Sequence, residues 1–211
     1  AILMMGYQDP YHLVLTEQWD RLTNQLNLLT DSQDAYQKAN PDRINGLFYQ
    51  GFASNFWDAV DFVDNRGYNV FTESTIDPNA EWTQYFTRPL HSTAKAWYLL
   101  VQKGLGKSTW GVQAERIVMR FLGFLFTFYR QRNSNQPPTN ITVAQGARVL
   151  YHEPATASLI LRAAIYANLA GGNSLITFNI IKASYEYIKS QHIGTGNMAG
   201  SFTAGQPEFL G

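Results

Sequence analysis

Residues 112–132 constrain the fold more than any other part of the chain. Successive residues of an α-helix lie about 100° apart around its axis, and by that spacing nearly every side of this stretch is apolar. A helix of this kind has to be surrounded by other elements, because it has almost no face to leave in water. The sequence therefore predicts a central helix in a mainly α-helical bundle. Its large apolar residues are Ile117, Val118, Phe121, Leu122, Leu125, Phe126, Phe128 and Tyr129.

The polar residues of this helix fall on one narrow strip that contains three arginines and no acid. Arginine binds phosphate oxygens with two parallel hydrogen bonds, and such contacts hold a duplex without reading its sequence. The alternative is an ordinary solvent-facing strip, in which both charge signs are expected. This arginine strip consists of Gln113, Arg116, Arg120, Gly123, Thr127 and Arg130.

Basic residues outside the arginine strip extend the predicted nucleic-acid contacts. Lys182 and Lys189 lie seven positions apart, which places them on one face of a helix. The complete set of predicted phosphate contacts is Arg116, Arg120, Arg130, Arg132, Arg148, Arg162, Lys182 and Lys189.

The distribution of charge along the chain is uneven, although the net charge of the 211 residues is zero. Residues 1–81 carry twelve acids and four bases, a balance of −8, and residues 82–211 carry the opposite balance. Such asymmetry indicates that the second part faces an anion, or that copies of the chain stack acidic part against basic part. The third interpretation is two complementary faces of one monomer.

Composition excludes several classes of protein. The chain is 45% hydrophobic and only 15% charged, and it has no cysteine. These values exclude intrinsic disorder, a disulfide scaffold and a zinc or iron–sulfur site held by cysteines. No uninterrupted apolar run approaches the roughly 18 residues of a membrane span. Because the first residues lack an initiator Met and the charged front of a secretory signal, we expect processing at this end.

The spacing of apolar residues predicts helix hairpins followed by an extended tail. We divide the chain into an acidic helical region over residues 1–89 with an irregular segment at 67–89, a basic helical bundle over 90–193, and a glycine-rich tail over 194–211. Within 67–89, short strands remain an alternative. The predicted helices cover residues 10–38, 42–64 with a bend near Gly51, 90–103, 109–132, 143–151, 154–169 and 174–191.

Three patterns resemble catalytic or metal-binding motifs, but each lacks a required part. The turn Gly104–Thr109 resembles a phosphate-binding loop, yet Val101 stands where the first glycine is needed. Asp58, Asp61 and Asp64 lack a second acidic helix with which to share a cation, so a solvated acidic face is favoured. The four histidines have no partner at metal-binding spacing. We predict no catalytic residues, no bound metal and no cofactor.

One stretch resembles the last helical hairpin of the major capsid proteins of filamentous and rod-shaped archaeal viruses. The resemblance covers about 35 residues and contains no invariant chemical motif. The matching positions are Leu161-Arg162-Ala163, Leu169, Gly171-Gly172, Leu175, Lys182-Ala183, Tyr185 and Tyr187.

The resemblance implies a helical bundle with an extended arm, located in the virion as part of a helical capsid. It also implies that two copies, or this chain and a related second capsid protein, clasp double-stranded DNA in the A form, with a viral lipid envelope as a possible further partner. From the matched stretch only Arg162 and Lys182 carry over as contacts to DNA. The acidic first part departs from the family, and an outer lobe would suit it.

The predicted function is therefore that of a structural coat protein, not an enzyme, with no small-molecule substrate. Two alternatives stay open. A helical-toroid enzyme acting on polysaccharide would need a base such as His91, His152 or Tyr151 in a cleft. An assembly or surface protein that never binds nucleic acid would set the arginine strip against the acidic part of a neighbouring subunit.

Overall fold

The computed structural model describes residues 9–39, 41, 46–48, 51–52, 71–72, 84–142, 146–150, 152–196, 200 and 202. Within these ranges the protein is mainly helical and forms a helical bundle, which confirms the predicted fold class. Its helices are α1 (Pro10–Leu15), α2 (Trp19–Ala39), α3 (Gln84–Gln102), α4 (Thr109–Arg132), α5 (Pro154–Leu169) and α6 (Ser174–Ser190). Two short antiparallel pairs accompany them, β1 (Gly51–Phe52) with β2 (Phe71–Thr72) and β3 (Asn140–Thr142) with β4 (Gly146–Arg148).

Helix α4 is the central element, as its apolar character predicts. Its buried side packs against α2, α3, α5 and α6. Phe121 is fully buried and stacks on Phe48, with 5.6 Å between the ring centroids. The helix begins where the Ser108 hydroxyl accepts a hydrogen bond from the N–H of Gly111. It ends at Asn133, whose left-handed backbone (φ 47°) turns the chain away.

Helices α1 and α2 run parallel to α3 and α4. Side-chain hydrogen bonds join the α1 region to α3 and its end, and α2 to α4, and the two partners of each bond lie 81–87 positions apart in the sequence. On the amino-terminal side these bonds involve Asp9, Tyr11, Glu17, Thr23, Asn27, Thr30 and Asp34. An offset that stays nearly constant along two segments means that both run in the same direction. This parallel register fixes which face of α2 lies against α4.

Helices α5 and α6 form an antiparallel hairpin. Its turn contains Gly171, whose φ of +94° lies in the region that favours glycine. Near the turn, the Thr177 hydroxyl donates to Asn168 Oδ1 at 3.0 Å. At the open end, the N–H of Glu153 donates to the hydroxyl of Tyr187 at 3.0 Å. The hairpin is anchored through α5 on α3 and through α6 on α4.

The first predicted helix, over residues 10–38, is divided in two. Glu17 adopts a left-handed backbone (φ 56°), and the N–H of Gln18 bonds back to the carbonyl of Leu13 at 2.9 Å. This bond closes the end of α1 in the way that glycine usually allows. The periodicity of apolar residues continues across the break, which is why the sequence predicted a single helix.

Three further element predictions are corrected. Residues 46–48 are not helical and Gly51–Phe52 is a strand, so the helix predicted over 42–64 is wrong there, and the rest of it lies outside the described residues. Helix α3 begins at Gln84 and contains Pro89, at the cost of one backbone hydrogen bond. The helix predicted over 143–151 is wrong, because β3 and β4 pair in this region.

The predicted boundary at residue 89 divides an acidic from a basic part of the sequence, but it does not divide the hydrophobic core. It falls inside α3, and the buried residues of α1 and α2 belong to the same hydrophobic cluster as those of α3 to α6. In the predicted tail over residues 194–211, Phe202 pairs with His192 of the predicted bundle in an isolated antiparallel bridge. Among the helices of the described part, none has the length and apolar character needed to cross a membrane.

Candidate nucleic-acid interface

The first half of the arginine strip faces helix α2 of the same chain. Arg120 Nη1 lies 2.6 Å from Asp34 Oδ1, and Arg116 Nη2 lies 3.6 Å from the same oxygen. The Arg120 side chain is 17% exposed, whereas that of Arg116 is 57% exposed. Asp34 thus supplies the carboxylate that residues 112–132 lack on this strip, and it holds Arg120 in a fixed position.

Amide contacts continue this interface toward the start of α4. Gln113 Nε2 donates to Asn27 Oδ1 at 3.0 Å and to Thr30 Oγ1 at 2.9 Å. Part of the opposite charge of the two halves is therefore neutralised within one chain, where Asp34 of α2 pairs with Arg116 and Arg120 of α4. The arrangement matches the interpretation of complementary faces of one monomer for these particular residues.

The last residue of the arginine strip, Arg130, lies at a groove between α4 and α6. Arg130 from the end of α4 and Lys182 from the middle of α6 both line it, and its volume is about 410 Å³. Both side chains are exposed to solvent. The structure thus brings together two predicted phosphate contacts that are far apart in the sequence. This Arg130–Lys182 groove is also lined by Phe126, Tyr129, Asn133, Ser134, Asn135, Asn179, Ile180, Ala183 and Glu186.

One acid stands in the Arg130–Lys182 groove. Glu186 Oε1 lies 3.9 Å from Lys182 Nζ, one helical turn away, and Glu186 Oε2 accepts a hydrogen bond from Asn135 at 2.8 Å. The Lys182 side chain is 75% exposed, and an exposed pair of this kind contributes little to stability. Lys182 therefore remains available to a stronger anion, such as a phosphate group.

The arginines at the end of α4 rest on aromatic rings. The guanidinium carbon of Arg130 lies 5.4 Å from the ring centre of Phe126, and that of Arg132 lies 5.5 Å from that of Phe128. Stacking on a ring restricts the side chain while leaving its N–H groups pointing to solvent. Within the described ranges, neither arginine has a carboxylate within ion-pair distance.

The remaining predicted contacts do not gather at one place. Arg148 is directed to the β3–β4 pair, where its Nε and Nη2 donate to Asn140 Oδ1 at 3.2 Å and 2.6 Å. Arg162 and Lys189 are exposed on α5 and α6. Arg148 thus has a structural role in bracing the pair of strands, while Arg162 and Lys189 extend the basic surface of the hairpin.

The sequence analysis missed the amide groups of the groove. Asn133, Asn135 and Asn179 line it beside the two cations, and amide N–H groups are common donors to phosphate oxygens. The sequence patterns assign no role to Asn133 or Asn135. Their position directly after the basic end of α4 was a usable signal for a polar site. No sequence pattern, however, indicates that α6 forms the other wall of the groove.

Two residues from the motif-like patterns, His91 and Gly111 beside the glycine-rich turn, pack inside the protein. Burial, together with the positive charges of Arg162 and Lys95, lowers the pKa of His91 to about 4, so its ring is neutral near pH 7. At the turn, a Cβ on Gly111 would stand 2.4 Å from the carbonyl oxygen of Gly106, so backbone packs on backbone there. In the part of the chain that the structure describes, no group of three or more acidic or histidine side chains is placed to hold a metal ion.

No protein-family model matches the chain, and neither does any curated protein or solved structure. The resemblance to archaeal virus capsid proteins therefore stays a prediction based on the hairpin residues alone.

Proposed function

We propose that this protein is a structural coat protein that binds double-stranded DNA through sequence-independent phosphate contacts and assembles into a helical filament, as in a virion. The observation that carries the proposal is the Arg130–Lys182 groove. It combines two exposed cations from different helices with amide donors, and this is the chemistry that recognises a phosphate backbone. The A form of the duplex is part of the proposal through the resemblance of the hairpin.

The surroundings of the groove support a backbone contact in preference to a small-molecule site. The cations of the groove are exposed, whereas pockets for small molecules are lined mainly by apolar side chains and bury most of their ligand. Arg132 lies about 200° around α4 from Arg130 and faces another side of that helix, whereas Lys189 lies two turns beyond Lys182 on the same face of α6. A row of cations of this length suits a polymer with regularly repeated phosphates.

The test is binding of a short DNA duplex, followed by fluorescence anisotropy across a series of salt concentrations. Arg130→Gln and Lys182→Gln should each weaken binding about tenfold at low salt, because a hydrogen bond to a charged group contributes about 1.5–3 kcal/mol. Each should also reduce the slope of log K against log salt by about 1, with no change in sequence preference.

Lys107→Gln is the matched control, because Lys107 is equally exposed but lies at the turn between α3 and α4, away from the groove. It should retain the affinity and the salt slope of the unmodified protein. If the double variant Arg130→Gln/Lys182→Gln binds the duplex as tightly as the control does, the proposal is wrong.

A second candidate is an assembly protein that does not bind nucleic acid, and the pairing of Asp34 with Arg116 and Arg120 favours it. Here the bases serve contacts within and between protein chains. Negative-stain electron microscopy with and without DNA separates the two candidates. Filaments that need DNA support the coat protein, and identical filaments without DNA support the assembly protein.

A further inference from the structure

Three aromatic rings meet where helices α3 and α5 pack side by side. The ring of Tyr166 on α5 neighbours two rings of α3, with 6.0 Å from its centroid to that of His91 and 5.8 Å to that of Tyr98. His91 and Tyr98 lie seven positions apart and so share one face of α3. All three residues are partly exposed. Part of each ring is therefore open to a ligand in solvent.

Two cations border the three rings. Lys95 stands one turn from His91 on α3, and its Nζ lies 3.6 Å from the ring centre of Tyr11 on α1. Arg162 stands one turn before Tyr166 on α5 and is exposed. Both cations lie close enough to His91 to lower the pKa of its ring. We call this set the α3–α5 seam, and its members are His91, Lys95, Tyr98, Arg162 and Tyr166.

The positive charge of the α3–α5 seam is not cancelled by neighbouring acids. Within the described ranges, no carboxylate lies within ion-pair distance of Lys95 or Arg162. Asp9 partly opposes the two cations at His91, but its carboxylate caps α1 and accepts a hydrogen bond from the Ser92 hydroxyl. Even with Asp9 counted, two cations stand against one acid. The seam therefore attracts an anion.

Aromatic rings beside unpaired cations are the combination that binds an unpaired nucleic-acid strand. Its bases stack on the rings, and its phosphates contact lysine and arginine. A duplex makes no use of the rings, because its bases are already stacked inside the double helix. An acidic peptide would use the two cations alone. The three rings therefore favour a single strand over both.

We propose that the α3–α5 seam binds an unpaired nucleic-acid strand, with bases stacked on Tyr98 and Tyr166 and phosphates on Lys95 and Arg162. Every base has a face that stacks, so the binding carries no strong sequence preference. This inference goes beyond the proposed function, because its ligand is single-stranded and its residues belong to α3 and α5. The duplex contact lies instead in the Arg130–Lys182 groove between α4 and α6.

The first test is fluorescence anisotropy of a short labelled strand of deoxythymidine, titrated with the full chain at low salt. The unmodified protein should bind the strand. Tyr98→Leu/Tyr166→Leu should weaken binding about tenfold, equivalent to about 1.4 kcal/mol, because the stacking surfaces are lost. Tyr98→Phe/Tyr166→Phe keeps both rings and should bind normally. Tyr185→Leu is the control, because Tyr185 is 58% exposed on α6, outside the seam; it should also bind normally.

Arg162→Gln tests the phosphate contact and leaves the rings in place. Arg162 is exposed and has no hydrogen bond or ion pair in the part of the chain that the structure describes, so its replacement should not disturb folding. The variant should bind the strand more weakly and reduce the slope of log K against log salt by about 0.7. Lys107→Gln, at the turn between α3 and α4, should change neither quantity.

Four results would overturn the proposal. The first is an unmodified chain that does not bind the strand, and the second is an Arg162→Gln variant that binds it normally. The third is equal weakening by the phenylalanine and leucine variants, since the rings would then not be the contact. The fourth is a larger loss through Arg130→Gln/Lys182→Gln than through Arg162→Gln, which would place the strand in the groove.

Two competition experiments separate the remaining partners. Polyglutamate should displace the strand poorly, and displacement as effective as that by unlabelled strand would assign the seam to an acidic protein and contradict the proposal. The Tyr98→Leu/Tyr166→Leu variant should bind a short duplex with unchanged affinity. A duplex contact that fails its own test leaves single-strand binding at the seam intact, so the two proposals fail independently.

Discussion

The same substitution at two glycines of helix α4 is expected to have opposite effects on stability. A Cβ added at Gly111 would stand 2.4 Å from the carbonyl oxygen of Gly106 and 2.6 Å from that of Leu105. A Cβ added at Gly123 would meet nothing within 4 Å. Gly111→Ala therefore forces two backbone segments apart, whereas Gly123→Ala only restricts the unfolded chain and improves helix formation.

The magnitudes follow from these distances. Replacing glycine by alanine inside a helix contributes up to about 1 kcal/mol of stability when the side chain fits. Overpacking in a closely packed region costs about 1–3 kcal/mol, and the upper end applies at Gly111 because the opposing atoms belong to the backbone. We expect Gly123→Ala to stabilise by roughly 0.5–1 kcal/mol and Gly111→Ala to destabilise by about 2 kcal/mol.

Thermal unfolding followed by circular dichroism measures both effects. In a chain of this size 1 kcal/mol corresponds to about 2–4 °C in Tm, so the two variants should lie on opposite sides of the unmodified protein. Urea titration at fixed temperature gives the free energies independently. If Gly111→Ala is as stable as Gly123→Ala, the turn over residues 104–108 does not pack on the first turn of α4 and the reasoning fails.

Two further predictions concern the end of α4 and the pH dependence of stability. Asn133→Val should destabilise by about 1–2 kcal/mol in urea titration, because a β-branched residue is strained in the left-handed region, whereas Asn133→Gly should be close to neutral. The pKa of His91 falls from 6.5 to about 4 on folding, through burial and the charges of Arg162 and Lys95, partly opposed by Asp9. The unfolded chain therefore takes up this proton first, so stability should decline from about pH 6.5 to pH 4, and His91→Asn should flatten that decline; an unchanged decline contradicts this assignment.

The helices with explicit end signals were predicted correctly from the sequence. Ser108 caps α4 at its start, Pro154 occupies the first position of α5, and Gly171 turns the chain between α5 and α6. Each residue acts on its immediate neighbours, so local physical rules suffice. The observed bounds of α4 and α5 agree with the prediction, and α6 ends one residue earlier than predicted.

The elements that failed depend on contacts that a local pattern does not contain. The break at Glu17 uses a left-handed backbone without glycine, and Lys103 of the distant α3–α4 turn pairs with its side chain at 2.9 Å. The β3–β4 pair forms around Arg148 and Asn140, where the apolar spacing suggested a helix. In each case tertiary contacts decide between conformations that are close in local free energy.

The candidate site shows the same division. A wheel drawn for one helix places Arg116, Arg120 and Arg130 on a common strip. In the structure the first two pair with Asp34 of α2, and Arg130 lines the groove with α6. The wheel contains no information about Asp34, which lies 86 residues from Arg120, or about Lys182 on α6. Whether an arginine is neutralised within the chain or exposed to a partner is a property of helix packing.

Helices α1 and α2 run parallel to α3 and α4, and this arrangement affects the order of folding. The side-chain hydrogen bonds between them close loops of 81–87 residues, so the first contact to form bears nearly the whole entropy of loop closure. Once Asp34 meets Arg120, or Thr23 meets Trp110, the other contacts follow at little further cost in chain entropy. The α5–α6 hairpin closes only short loops and can form independently and early. We therefore expect α1 and α2 to dock onto α3 and α4 together, in a single late and cooperative step.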